Sequence, residues 1–218
     1  MKTIILDFDG TIADTQGVIV ATMLDTFSRL GLPDVDEDEI RPTIGLPLWE
    51  MFTKLCGITD KEMIDRCVKT YRDCFMSHCE GNVILYPGVT ETLTKWKQDG
   101  MTLAIATSRG RDSLIPMLRS LGIHHLIDMT VTVEDVEHAK PAPDMVLKIL
   151  AATGTDSADA LVVGDTTFDI EMGKAAGCKT CGVTYGNHSR EQLLTAEPDF
   201  VVDFFSFKEL KGVRELRS

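Results

Sequence analysis

Short apolar runs separated by longer amphipathic stretches dominate the chain. Ile4-Ile5-Leu6 is too short for a helix and suits a strand buried on both faces. Residues 101–106, 127–133, 160–163, 180–184 and 200–202 read the same way. Between them, residues 112–121, 142–152 and 167–176 carry apolar positions at helical spacing. Strands alternating with helices predict βαβ units, right-handed crossovers and a parallel sheet covered on both faces. The expected fold is therefore α/β, a doubly wound Rossmann-like sheet, with its ligand crevice at the carboxyl ends of the strands.

Residues 16–82 break this pattern. They contain no strand-like run, and Ile19, Met23, Phe27 and Leu30 recur at helical spacing, as do Met63, Cys67, Tyr71 and Phe75. Tyr86-Pro87-Gly88 marks a return to the core, with Pro87 placed to open a helix. The expected organisation is a core of residues 1–15 and 83–218 interrupted by a helical cap, 16–82.

Polar residues stand at the ends of the predicted strands. Asp7 and Asp9 follow Leu6, and in extended chain residues i and i+2 share a side. Two close carboxylates repel unless a proton or cation lies between them, and Gly10 permits a sharp exit. A polar strand end with a turn is the plainer reading. A calcium loop is disfavoured: the twelfth residue from Asp7 is Val18, not Glu, and a strand precedes the site. Thr107 and Ser108 follow the run 103–106, Lys140 precedes Pro141, and Asp165 follows Gly164 with Asp169 four residues on. Taken singly these are ordinary caps, turn residues or surface charges. Taken together they converge on one edge of the sheet, where the fold binds ligands.

Phosphoryl transfer needs such a set. Mg²⁺ takes hard oxygen ligands, which Asp7, Asp165 and a backbone carbonyl near Asp9 can supply. Lys140 and Thr107 suit phosphoryl oxygens, and catalysis is then mostly positioning and charge stabilisation.

Composition narrows the class. With 218 residues, 44% hydrophobic and 26% charged, the chain has the profile of a globular protein with a sizeable core. A net charge of -12 argues against nucleic acid or an anionic membrane as partner. No apolar stretch reaches the ~18 residues of a membrane span, and no signal-peptide pattern is visible. The six cysteines suggest reduced thiols and a cytoplasmic location. Cys178 and Cys181 are spaced C-x-x-C but open a strand rather than a helix, unlike a redox motif. The five histidines, His78, His124, His125, His138 and His188, lack zinc-ligand spacing. Oligomeric state is not readable.

The segments D-F-D-G-T-I-A-D-T (7–15), A-I-A-T (104–107), K-P-A-P (140–143) and G-D-T-T-F-D (164–169) resemble, in this order, the four motifs of the haloacid dehalogenase superfamily. The resemblance covers essentially the whole chain. It implies that Asp7 is a nucleophile and Asp9 a general acid/base. It further implies that Thr107, Ser108, Lys140 and Gly10 bind the substrate phosphate, and that Asp7, Asp9 and Asp165 hold Mg²⁺. Asp169 would support the metal through water or steady Lys140.

Within that superfamily, an acid at Asp9 fits phosphate-ester hydrolysis rather than carbon–halogen cleavage, because the ester leaving group needs a proton. It also disfavours phosphonate cleavage through a cap lysine such as Lys54, Lys61 or Lys69. The stretch after Thr15 lacks the His of β-phosphoglucomutase-type members. It resembles the phosphoglycolate phosphatase and pyrophosphatase subgroup more. R-P-T-I-G-L-P-L (41–48) resembles that subgroup's cap loop, in which Arg41 meets a second anionic group and Gly45 lets backbone approach substrate; a plain helix-connecting turn is the equal alternative. Arg109 stands close enough to Thr107 to join the phosphate pocket. The expected function is Mg²⁺-dependent hydrolysis of a small phosphorylated metabolite of phosphoglycolate type, through an aspartyl-phosphate. A phosphosugar mutase, a pyrophosphatase and a non-catalytic phosphate-binding regulator are the alternatives.

Overall fold

The computed structural model describes residues 1–79 and 81–210; the end of the expected core segment, 211–218, lies outside them. Strands β1 (Thr3–Leu6), β4 (Thr102–Thr107), β5 (Met129–Thr132), β6 (Ala160–Gly164), β7 (Lys179–Val183) and β8 (Phe200–Val202) form one sheet. Its order is β5-β4-β1-β6-β7-β8, and every pairing is parallel. Helices α5 (Val89–Gln98), α6 (Arg111–Ser120), α7 (Asp144–Thr153), α8 (Thr167–Ala175) and α9 (Arg190–Thr195) accompany it.

Strand alternation sorts the core into two layers. Ile4, Leu6, Leu103, Ile105, Leu161 and Val163 face the cluster that contains Leu93 and Trp96 of α5 and Leu114 and Leu118 of α6. Ile5, Ala104, Ala106, Val131 and Val162 face α7, through Met145, Val146 and Ile149, and Met172 of α8. Both faces are dry, which explains the continuous apolar runs.

The register brings the strand ends together. Leu6 pairs with Ile105 on one side and Val163 on the other. Asp7 is one residue past Leu6, Thr107 two past Ile105, and Asp165 two past Val163. All three therefore emerge at the same edge.

Between β2 (Ala13–Asp14) and β3 (Ile84–Leu85) the chain forms helices α1 (Gln16–Leu30), α2 (Glu37–Ile40), α3 (Leu48–Cys56) and α4 (Lys61–Cys79). β2 and β3 pair antiparallel and tie the two ends of this insertion together. The inserted helices close on Met23, Phe27, Met51, Phe52, Cys67, Tyr71 and Phe75, all buried, with Phe27 stacked on Phe52 at 6.0 Å. Burying such side chains contributes about 1.5–3 kcal/mol each. The chain re-enters the core at Gly88, not Pro87, which caps α5 with φ +84. A Cβ there would lie 2.4 Å from the carbonyl oxygen of Phe205, so only glycine fits. Among the described residues no helix is long and apolar enough to cross a membrane. All six cysteines are free thiols.

Candidate active site

The sequence folds tightly around Asp7. Gly10 takes φ +83, and a Cβ on it would stand 2.2 Å from Asp165 Oδ2, so the turn after Asp9 requires glycine. Its N–H donates to the Ala13 carbonyl at 2.9 Å. Asp165 leaves β6 directly, and Thr166 caps α8 in a capping box with Asp169. Asp169 Oδ2 accepts from Thr166 N at 3.1 Å and Thr166 Oγ1 at 2.7 Å. Gly164 lacks a side chain where a Cβ would meet Asp169 Cβ at 2.2 Å, which lets the first turn of α8 fold back over the strand.

Lys140 joins two of these acids. Its Nζ donates to Asp7 Oδ1 and to Asp169 Oδ1, each at 2.6 Å, with all three side chains nearly inaccessible. Asp165 Oδ1 accepts from Thr11 Oγ1 at 2.8 Å; its Oδ2 accepts from Asn187 N and Nδ2, each at 2.7 Å. Asp7, Asp165 and Asp169 each bring one oxygen within 4.8 Å of the others. Three carboxylates against one lysine leave two surplus negative charges in a buried place. Burial pushes Asp7 well above the ordinary carboxylate range, against the pull of Lys140 and with the help of Asp169 and Asp165. Burial, then Asp169, pushes Asp165 up to about 7. Burial would lower Lys140, but Asp169 and Asp7 outweigh it and hold the ammonium charged. Such a cluster of hard oxygen donors suits a cation.

Asp9 points elsewhere. It accepts from Thr15 Oγ1 at 2.7 Å and takes a two-pronged contact from Arg109, Nη2 at 2.6 Å and Nε at 3.0 Å. The Arg109 guanidinium lies over the Phe75 ring at 4.5 Å and near the Phe8 ring at 5.7 Å, a stacked, buried cation. Thr107 is buried, and its Oγ1 accepts from Arg109 N at 3.1 Å. Ser108 Oγ donates to the Gly45 carbonyl at 2.6 Å, which links the sheet edge to the loop before α3. Gly45 has φ +104, and a Cβ there would approach Thr166 Cγ2 to 3.1 Å.

A cavity of about 280 Å³ opens between the sheet edge and the inserted helices, with Asp7, Asp9, Gly45, Thr107, Ser108 and Arg109 among its walls. Lys140, Asp165 and Asp169 stand behind Asp7. Arg41 is not in the wall: it donates to Gln16 Oε1 at 2.6 Å and to Glu37 Oε2 at 3.0 Å. Gln16 Nε2 in turn donates to Asn187 Oδ1 at 3.0 Å, so Arg41 reaches the acids only through Gln16 and Asn187. The sequence reading did not single out Asn187, Thr11 or Trp49, and it named Phe75 only for its helical spacing. For Asn187 a signal existed: it lies four residues past the end of β7, at the same sheet edge.

A family model described as haloacid dehalogenase-like hydrolase matches residues 4–183. Probable phosphatase IndB of Dickeya dadantii is 37% identical over 206 residues, covering 93% of this chain and 90% of its own. Pyrophosphatase PpaX of Bacillus velezensis is 34% identical, covering 94% of each. A solved structure from Bacteroides fragilis, assigned to the same family, superposes with a TM-score of 0.88 at 30% identity, over 94% of this chain and 98% of its own. With that model spanning most of the sequence, and relatives above 30% identity along nearly all of it, the chain belongs to the haloacid dehalogenase-like hydrolases.

Proposed function

We propose that the chain is a Mg²⁺-dependent phosphatase that hydrolyses a small phosphorylated metabolite through an aspartyl-phosphate on Asp7. Residues 1–15 and 83–218 would be its catalytic core and residues 16–82 its cap. The observation that carries this reading is the pairing of Asp7 with Lys140 at 2.6 Å beside Asp165, at the mouth of a cavity. The buried surplus of negative charge and the all-oxygen donor set fit a hard divalent cation. Asp7, Asp165 and the Asp9 segment would hold it, with Asp169 supporting through Lys140 and Thr166. When bound, Mg²⁺ supplies positive charge that offsets the phosphoryl oxygens and the carboxylates.

One Asp7 oxygen attacks phosphorus as the bond to the ester oxygen breaks. Asp9 gives that oxygen a proton, so the alcohol leaves neutral. Asp9 then takes a proton from water, whose oxygen attacks the same phosphorus. The phosphorus–Asp7 bond breaks, and the carboxylate is restored. Lys140 holds Asp7 aimed, and Thr107 and Ser108 border the cavity beside it; Gly10, whose N–H goes to the Ala13 carbonyl, does not line that cavity. Arg109 orients Asp9, and it must share or release that contact when Asp9 turns to the ester oxygen. Free thiols throughout the described chain support a reducing, cytoplasmic setting.

A second reading, pyrophosphate hydrolysis, is favoured by the 34% identical pyrophosphatase. The experiment is phosphate release from a panel of phosphometabolites and pyrophosphate with Mg²⁺, alongside Asp7→Asn. The native protein releases phosphate and the folded variant does not; turnover retained in the variant would sink the nucleophile assignment.

A further inference from the structure

The cavity beyond the phosphoryl position is largely apolar, and among the described residues its wall offers no unengaged cation. Its outer wall includes Ile19, Leu46, Trp49, Val68, Phe75 and Met76. Trp49 is 50% exposed and Met76 55% exposed, although both are large apolar side chains. Single exposed apolar residues are ordinary, but these two border the same cavity and lie within reach of a ligand there.

Charge points the same way. The wall contains two arginines, Arg72 and Arg109, and four acids, Asp7, Asp9, Asp112 and Glu134. Arg109 is engaged by Asp9, and Arg72 donates to Glu134 Oε1 at 3.0 Å. Lys140 is held between Asp7 and Asp169, and Arg41 is turned toward Gln16 and Glu37. Away from Asp7 and Asp9, which face the phosphoryl group, the wall carries Asp112 and Glu134 against Arg72, so a second anion on the leaving side, whether a carboxylate or another phosphate, meets one surplus negative charge. To find a partner it would have to draw Arg72 from Glu134, a half-exposed pair that parts at a small cost. An uncharged leaving alcohol meets no such cost.

We propose that the substrate is a phosphate monoester of an uncharged alcohol carrying an apolar or aromatic body, which lies against Trp49, Phe75 and Met76 while the phosphoryl group meets Asp7. This rests on the phosphatase reading above and narrows it. Phosphoglycolate and pyrophosphate, both anionic on the leaving side, become poor substrates.

The test compares kcat/KM with Mg²⁺ for four compounds: 2-phenylethyl phosphate, glycerol phosphate, phosphoglycolate and pyrophosphate. The three esters leave as unactivated alcohols, so differences among them report recognition; pyrophosphate leaves as phosphate, a better leaving group, and is compared through KM. The aromatic ester should exceed phosphoglycolate by about tenfold or more. Trp49→Ala, which removes a half-exposed side chain and spares the core, should lower the ratio of the aromatic ester to glycerol phosphate by about tenfold. Glu134→Gln, which releases Arg72, should raise phosphoglycolate turnover relative to the aromatic ester several-fold. Phosphoglycolate turned over faster than the aromatic ester, or pyrophosphate with the lower KM, overturns the proposal and leaves the phosphatase reading standing. So does a ratio unmoved by Trp49→Ala. No Asp7-dependent phosphate release from any of the four overturns both.

Discussion

Asp165 is a carboxylate held in the wrong charge state for its surroundings, and replacing it with asparagine measures how wrong. Its pKa moves from an ordinary 3.8 to about 7, chiefly by burial and then by Asp169. An acid with a raised native pKa keeps its proton in the folded state over a range where the unfolded chain has lost it. Metal-free stability therefore falls as pH rises from about 4 to about 7. Taking these two pKa values, the folded state forfeits on the order of 4 kcal/mol at pH 8 but only about 2 kcal/mol at pH 5. Asp165→Asn removes this charge penalty. It also loses an acceptor: Oδ1 serves Thr11 and Oδ2 serves two donors on Asn187, and an amide has only one acceptor oxygen. That loss costs about 1–3 kcal/mol at either pH.

The difference between the two pH values is thus free of the hydrogen-bond cost. Relative to native protein, the variant should gain about 2–3 kcal/mol on going from pH 5 to pH 8, roughly 4–12 °C in Tm for a chain of this size. The assay is thermal unfolding in chelator at both pH values. Added Mg²⁺ should then reverse the order at pH 8. Native protein at about 100 times Kd gains roughly 2.7 kcal/mol, while the variant gains little. A variant whose Tm offset is equal at the two pH values would refute the charged-cluster argument. An equal Mg²⁺ response in both proteins would refute Asp165 as a ligand.

Three further outcomes follow from the same geometry. Asp9→Ala should slow alkyl phosphates far more than aryl phosphates, whose leaving oxygen scarcely needs a proton; equal losses in kcat/KM would remove the acid role. Lys140→Met leaves Asp7 and Asp169 facing each other without their shared cation. It should cost about 3–5 kcal/mol in chelator at pH 8, read as a fall in the denaturant midpoint, with partial recovery in Mg²⁺. Gly10→Ala drives a methyl toward Asp165 Oδ2 from a φ of +83, so both Tm and the Mg²⁺-induced shift should fall. A thermal response to Mg²⁺ at native strength would show that the turn yields without moving Asp165.

The sheet was legible because its strands are buried on both faces. Runs such as 103–106 and 160–163 have no other comfortable home, and each ended within a residue or two of the predicted place. Strand ends then located Asp7, Thr107 and Asp165 by register alone. The short elements were not legible. β2 and β3 are two residues each and α9 is six, too short for a periodic signal; β2 and β3 form where the two ends of the insertion meet. The cap of α5 falls on Gly88 rather than Pro87, where the Phe205 carbonyl leaves no room for a Cβ, a tertiary contact. Applying the sheet-edge rule to β7 as well as β6 would have reached Asn187, which donates two of the three hydrogen bonds to the Asp165 carboxylate.

The cations mark where sequence reasoning stops. Arg41 and Arg109 each stand at a position from which an anion can be met, and their numbers alone treat them alike. In the fold, Arg41 is drawn off by Glu37 one helical turn before it and by Gln16 at the start of α1. Arg109 is drawn to Asp9 and covered by Phe75 from α4. Recognition of a second anion depends on how firmly each cation is held once the chain has folded: parting the buried Arg109–Asp9 pair is costly, whereas the exposed pairs of Arg41 and Arg72 part cheaply. Where a cation lies is written in the order of residues; whether it is free depends on how two separately placed helices pack. Among the described residues that packing pairs both arginines of the cavity wall with acids, Arg109 with Asp9 away from water and Arg72 with Glu134 at the surface, which is the ground for proposing an uncharged leaving group.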